Sequence, residues 1–271
     1  MLPTESFDTA LVTGASTGIG ATYADRLAAR GHPLVLVARN RERLDELAGR
    51  LSREHRVKVD VLPADLTSSQ QRAEVERRLR EDTSIGILVN NAGSSVPGGV
   101  AEAQLDDIEA MVELNVLAPT RLTGAIFPRL LARGRGSIIN IASALAIAPE
   151  LSPGAYAATK SYLLAYTLSL HKEADGRGVQ VQVVLPGITR TAIWEHAGKD
   201  LAGFPEHMIM EVDEMVDAAL AGYDMGELVT IPSLPDGEEW KQYDDARRRL
   251  APELSRSQAA DRYKSDIPED A

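Results

Sequence analysis

Short apolar runs alternate along the chain with longer segments whose apolar residues recur every three or four positions. Ala10-Leu11-Val12, Leu34 to Val37 and Ile87-Leu88-Val89 are too short for buried helices and rich in strand formers. Val57, Val59 and Val61 alternate as a strand, and Ser137 to Ile141 and Val179 to Val184 complete the set. Between them the spacing predicts helices over Ile19–Ala29, Arg41–Leu51 and Ser69–Arg80, the last a charged surface helix. Further helices are expected around 104–116, 117–132, 155–174 and 211–223, followed by a short strand at Leu228-Val229-Thr230. Repeated β-α-β units with apolar strands imply an α/β fold: a doubly wound parallel sheet with helices on both faces, in three α/β/α layers. Ligands of such sheets bind outside the C-terminal strand ends, where the strand order reverses. Chemistry is therefore expected just after the apolar runs.

Composition narrows the function. A formal net charge of −11 argues against phosphate-rich nucleic acids and anionic membrane surfaces as partners. The chain has no cysteine, which removes disulfides, thiolate nucleophiles and Cys-ligated metals. No metal-ligand spacing is present, and no metal is expected. The first residues lack the basic-then-apolar pattern of a signal peptide, and no run approaches the roughly 20 apolar residues that span a bilayer. A cytoplasmic protein is expected. From Leu234 onward the chain turns charged, with Asp244-Asp245 and Arg247-Arg248-Arg249. Residues 1–235 are read as one domain, which the motifs that follow make a dinucleotide-binding and catalytic one. Residues 236–271 are read as an extension packed on it, with a frayed end over Ser265–Ala271, or alternatively as a partner site.

Thr13-Gly14-Ala15-Ser16-Thr17-Gly18-Ile19-Gly20 closes the first strand and opens the first helix. Glycines let backbone approach a pyrophosphate, and a helix N-terminus offers it free N–H groups. The run after the second strand, Ala38-Arg39-Asn40, holds no acid for ribose hydroxyls. Ala38 leaves room for a 2′-phosphate and Arg39 can pair with it, so NADP(H) is favoured over NAD(H).

Tyr156 and Lys160 are one helical turn apart and share a face. A phenol ionises near pH 10, and a neighbouring ammonium favours the phenolate. Lowering that value toward 7 corresponds to about 4 kcal/mol and would make Tyr156 a useful acid/base. Ser143 follows the strand ending at Ile141, and Asn90-Asn91-Ala92-Gly93 follows Val89. Asn115 interrupts a predicted helix, where Asn is locally unfavourable. Pro186-Gly187, Thr189 and Thr191 follow Val184.

This set resembles the short-chain dehydrogenase/reductase family in its common form of about 250 residues, over about residues 7–231, and so implies a Rossmann-type sheet. The matching motifs are T-G-x-x-x-G-I-G at 13–20, N-N-A-G at 90–93, Asn115–Ser143–Tyr156–Lys160, and P-G-x-x-x-T at 186–191. The resemblance implies that Gly14, Ser16, Gly18, Ile19 and Gly20 line the pyrophosphate, and that Asp65 and Leu66 hold the adenine. It puts Asn91, Ala92 and Gly93 on the adenosine ribose side, and Pro186, Gly187, Ile188 and Thr191 near the carboxamide. It makes Tyr156 the proton donor or acceptor, Lys160 its tuning cation and a ribose ligand, Ser143 the orienter of the substrate oxygen, and Asn115 the anchor of a water. Thr17 stands where some NADP-users carry Lys or Arg, which leaves the phosphate to Arg39.

The implied reaction interconverts a carbonyl and a secondary alcohol on an apolar small molecule. Leu145, Ile147, Pro149 and Leu151, with Ile193, Trp194, Phe204, Met208, Ile209 and Met210, would form an apolar lid or simply pack one. His196 and His207 are polar contacts of that lid or surface residues. A homodimer or homotetramer is expected. Alternatives are epimerisation or dehydration on the same scaffold, and a non-enzymatic NADP-sensing or scaffolding role; an intact Tyr–Lys pair argues against the second.

Overall fold

A computed structural model describes residues 8–152, 154–191 and 201–264. Strand β1 (Thr9–Thr13) leads into α1 (Gly18–Ala29), β2 (Leu34–Ala38), α2 (Arg41–His55), β3 (Val59–Pro63) and α3 (Ser69–Glu81). Then follow β4 (Ile85–Asn90), α4 (Leu105–Val112), α5 (Ala118–Arg133), β5 (Gly136–Ile141), α6 (Tyr156–Ala174) and β6 (Val179–Val184). After residue 200 come α7 (Val212–Asp224), β7 (Val229–Thr230) and α8 (Gly237–Arg249). The seven strands form one sheet in the order β3-β2-β1-β4-β5-β6-β7, every pairing parallel. β1 pairs with both β2 and β4, so the strand order reverses beside it.

Strand side chains alternate between faces, and the core divides accordingly. Ala10, Val12, Leu34 and Leu36 pack with Tyr23 and Leu27 of α1, Leu44 and Leu51 of α2, and Met215 and Leu220 of α7. Leu11, Val35, Val37 and Leu88 face the other way, against Val75 and Leu79 of α3, Leu122 and Ile126 of α5, and Leu170 of α6. Each apolar run thus serves two helical layers, which is why it is apolar throughout. Among the described residues no helix is long and apolar enough to cross a membrane.

Three features depart from the sequence pattern. Val57 precedes β3 rather than joining it. The charged helix α3 is not wholly a surface element, because Arg72 and Glu76 are buried. The two helices expected over 104–132 join through a π-turn, Glu113–Leu117, in which the Ala118 N–H donates to the Glu113 carbonyl five residues back.

The described chain forms two compact units that divide between Ser233 and Leu234. In the second unit Asp236 caps α8 by accepting from the Glu238 N–H at 2.9 Å. Acids in the first turn of α8 and arginines in its last complement the helix dipole. Ile193, Trp194 and His196 of the expected lid, and the expected frayed end Ser265–Ala271, lie outside the described residues.

Candidate active site

The C-terminal ends of β1 and β4 are bound together by Thr13 and Asn91. The Thr13 hydroxyl donates to the Val89 carbonyl (3.2 Å) and accepts from the N–H groups of Asn91 and Ala92, both at 3.0 Å. Asn91 Nδ2 donates to the Thr13 carbonyl (2.9 Å) and the Gly14 carbonyl (3.3 Å). The Asn91 amide nitrogen is therefore committed to bracing the glycine loop, and only its Oδ1 remains for a ribose. Thr13 was visible in the motif but carried no assigned role; a Thr ending an apolar strand was the available signal.

The loop itself is shaped by close approach. Gly14 (φ +64°) and Gly18 (φ +55°) sit in the left-handed region. A Cβ on Gly20 would stand 2.3 Å from the Gly14 carbonyl oxygen. A Cβ on Gly18 would lie 3.5 Å from the Thr191 methyl, so the segment after β6 reaches the same loop. Helix α1 starts without a side-chain cap at Thr17 and with no acid in its first turn. An uncapped, positive helix end above a glycine turn suits a pyrophosphate, so the residues present fit a dinucleotide. Ser16 and Ile19 are part-buried along the same loop.

Arg39 is exposed just past β2 and has no ion pair or hydrogen bond among the described residues. Past β3, Asp65 Oδ1 accepts from the Thr67 N–H (3.0 Å) and hydroxyl (2.7 Å), which leaves one carboxylate oxygen uncommitted. Leu66 is buried, and its carbonyl accepts from Arg72 at 2.8 Å.

Past β4 and β5 the polar side chains converge. Asn115 lies in the π-turn, 2% exposed. Its Oδ1 accepts from the Ser94 N–H (2.9 Å), and its Nδ2 donates to the Ser94 carbonyl (2.8 Å) and Thr159 Oγ1 (3.0 Å). A Cβ on Gly93 would stand 3.2 Å from Asn115 Oδ1 and 3.4 Å from Lys160 Nζ, a tight fit that a larger residue could meet only if those side chains gave way. Lys160, also buried, donates to the Ile141 carbonyl at 2.9 Å and lies 5.6 Å from the centre of the Tyr156 ring. Ser143 begins a short 3-10 turn and accepts from the Leu145 N–H at 3.2 Å. Ser94, Thr159 and Ile141 hold this group together; none stood out in the sequence, because each acts through geometry set by the fold.

Burial shifts both titrating groups. It pushes the Tyr156 phenol up to about 12, with a hydrogen bond to Ser143 acting in the opposite direction. It pushes Lys160 down to about 8. Desolvation disfavours the charged form of each group.

Past β6, Pro186 is buried and Gly187 exposed, and the Ile188 carbonyl accepts from the Met210 N–H at 2.8 Å. Thr189 and Met210 form a parallel bridge that ties this segment to the base of the expected lid. Leu145, Ile147, Phe204, Ile209 and Met210 are part-buried, whereas Pro149, Leu151, His207 and Met208 are exposed. Elsewhere, ligand atoms of Asp25, Glu54 and His55 lie within 4.8 Å of one another. Arg26 and Arg50 already pair with those carboxylates.

A family model described as short chain dehydrogenase matches residues 8–202. A short-chain dehydrogenase from Sphingobium yanoikuyae, solved with NADPH, is 50% identical, with a TM-score of 0.92 over 95% of this chain and 100% of that one. The bulky-bulky ketone specific alcohol dehydrogenase from Comamonas testosteroni is 48% identical, with a TM-score of 0.88 over 95% of this chain and 99% of its own. A very-long-chain 3-oxoacyl-CoA reductase from Anas platyrhynchos is 34% identical over 184 residues, 65% of this chain. The match spans 58% of that reductase's length.

Proposed function

The chain belongs to the short chain dehydrogenase family, and from that premise we propose that it is an NADP-dependent oxidoreductase interconverting an apolar, bulky ketone and its secondary alcohol. The observation that carries this reading is the convergence of Ser143, Tyr156, Lys160 and Asn115 beside an uncapped helix over a glycine loop. The likeness to an enzyme named for bulky ketones supports the substrate class. Arg39, with no acid beside it, supports the 2′-phosphate.

The nicotinamide, when bound, supplies or takes up the hydride. The protein's own residues handle the proton. A phenol held at about 12 stays protonated at neutral pH, so Tyr156 is a proton donor to a carbonyl oxygen. Ser143, hydrogen-bonded to that phenol, would orient the same oxygen. Lys160, held at about 8, gives and regains a proton readily near neutral pH and would return one toward Tyr156. Gly14, Ser16, Gly18, Ile19 and Gly20 would line the pyrophosphate; Asp65, Leu66, Asn91, Ala92 and Gly93 the adenosine; and Pro186, Gly187, Ile188 and Thr191 the carboxamide. The reverse reaction needs the phenolate, so alcohol oxidation should gain on ketone reduction as pH rises.

The test begins with NADPH and NADH titrations followed by fluorescence, then NADPH oxidation with a panel of aryl and alkyl ketones. Tyr156→Phe should lower kcat about a thousandfold while leaving NADPH affinity within about twofold, since only the proton donor is removed. A Tyr156→Phe protein with full turnover removes Tyr156 from the chemistry. Tight NADPH binding without its consumption by any ketone would instead favour epimerisation or dehydration.

A further inference from the structure

We propose that Arg72 is a positioning residue that joins the adenine end of the cofactor cleft to the π-turn carrying Asn115. This rests on the dinucleotide reading above. Arg72 stands in α3 and is only 4% exposed. Its Nη1 donates to two acceptors, the Leu66 carbonyl and the Glu113 carboxylate, each at 2.8 Å. Leu66 belongs to the segment after β3 assigned to the adenine. Glu113 is the first residue of the π-turn.

The arrangement is a poor device for stability alone. A buried guanidinium is costly to desolvate, and a partner whose side chain is 34% exposed, as that of Glu113 is, repays little of that cost. Here the Arg72 Nε is also buried without a hydrogen-bond partner, a further cost that shape-matched apolar packing would avoid. What the pair does is fix Glu113 from both sides. The carboxylate of Glu113 is held by Arg72, and its carbonyl accepts the Ala118 N–H that closes the π-turn.

That turn decides where Asn115 points. An α-helix advances about 100° per residue, so removing the extra residue of a π-turn would rotate the side chains on one side of it relative to the other. Asn115 would then lose its three hydrogen bonds to Ser94 and Thr159. Gly93, wedged between Asn115 Oδ1 and Lys160 Nζ, would lose its fit. Among the described residues, Arg72 is thus the side chain whose hydrogen bonds join the adenine-edge loop to the residue that closes the π-turn. Occupation of the first should be felt at the second.

Three variants of the full chain test this: Glu113→Gln, Arg72→Met and Arg72→Lys. Three quantities are read: hydrogen exchange of the 113–118 backbone, NADPH affinity, and kcat per folded molecule at saturating NADPH. Glu113→Gln keeps the shape and the Leu66 contact. It should speed exchange of the π-turn and lower kcat, each about tenfold, with NADPH affinity within about twofold; a misplacement of this kind is felt at a distance in kcat. Arg72→Met should also weaken NADPH about fivefold, and Arg72→Lys, whose one ammonium can donate to both acceptors as Nη1 does, should largely restore binding and exchange together. NADPH should slow exchange of the 113–118 backbone in the wild type and no longer do so in Arg72→Met. The proposal falls if Glu113→Gln leaves exchange and kcat unchanged, or if NADPH protects the π-turn equally in Arg72→Met. Should Arg72→Met fail to fold, Glu113→Gln and Arg72→Lys carry the same decision. A wild type that binds NADPH but reduces no ketone would sink the functional reading, while the exchange measurements still decide the coupling.

Discussion

The two ends of the cleft are built on opposite principles. At the glycine loop the working groups are backbone: an uncapped helix start at Thr17, left-handed Gly14 and Gly18, and carbonyls packed against Gly20. At the other end they are side chains whose ionisation is bent by burial, Tyr156 upward and Lys160 downward. The first end has no room for a Cβ at Gly14 or Gly20. The second depends on the chemistry of its side chains. Geometry and titration can therefore be damaged separately, and the differences between the resulting variants measure how independent the two ends are.

The largest loss of cofactor affinity is expected at the glycine loop. In Gly20→Ala the new methyl would stand 2.3 Å from the Gly14 oxygen and 2.5 Å from Asn91 Nδ2, and a backbone carbonyl cannot swing away. NADPH affinity should fall about a hundredfold, equivalent to about 2.7 kcal/mol, in a fluorescence titration. A loss below threefold would mean that the loop does not hold the pyrophosphate.

Lys160→Met attacks the other end and should separate stability from activity. Below pH 8 both folded and unfolded wild type carry the Lys160 proton, and the folded state bears the full cost of a buried ammonium. A fall from 10.5 to about 8 corresponds to about 3 kcal/mol. Methionine removes that cost and loses one hydrogen bond, to the Ile141 carbonyl, worth about 1 kcal/mol. Urea unfolding at pH 7 should show the variant about 2 kcal/mol more stable, yet without turnover. Between pH 8 and 10.5 the folded wild type sheds its proton while the unfolded chain keeps it, so wild-type stability rises and the gap should close. A gap independent of pH would overturn the account of Lys160.

Arg39→Ala is expected to be milder. Removing one exposed guanidinium should weaken NADPH about tenfold and leave NADH within about twofold. Equal losses for both cofactors would remove the 2′-phosphate contact.

The glycine-loop end was far more legible in the sequence than the acid–base end. Apolar runs fixed by two-sided burial are readable, because Leu11 and Val12 must both be apolar for opposite faces of one sheet. Turn chemistry is readable too: Gly14, Gly18 and Gly20 follow a strand and open a helix. The acidity of Tyr156 was not. The spacing to Lys160 shows the pairing, whereas the burial that raises the phenol belongs to the whole fold. The π-turn left only a trace, an Asn inside a helical pattern, because one extra residue in a turn needs no distinctive residue type around it. Arg72 left none; in a segment as charged as Ser69–Glu81 nothing local distinguishes the arginine that Leu66 and Glu113 cover.

The smallest expected effect is the most direct test of the difference between helix starts. Helices α1, α2 and α3 all begin past the C-terminal edge of neighbouring strands. At α2 the Asn40 side chain accepts from the Arg43 N–H at 2.9 Å, and at α3 Ser68 accepts from Gln71. At α1 the corresponding position, Thr17, is extended but makes no such bond. If the missing cap is the place of an anionic ligand, the two kinds of helix start should respond in opposite ways. Asn40→Ala should cost about 1 kcal/mol of stability, the ordinary worth of a cap, and that loss should be the same with and without NADPH. Thr17→Ala should cost almost nothing in the free protein, since no cap is lost. Thermal unfolding of both variants, with and without NADPH, decides it: a Thr17→Ala protein destabilised as much as Asn40→Ala would show that α1 is capped after all and that its free N–H groups are not reserved for a phosphate.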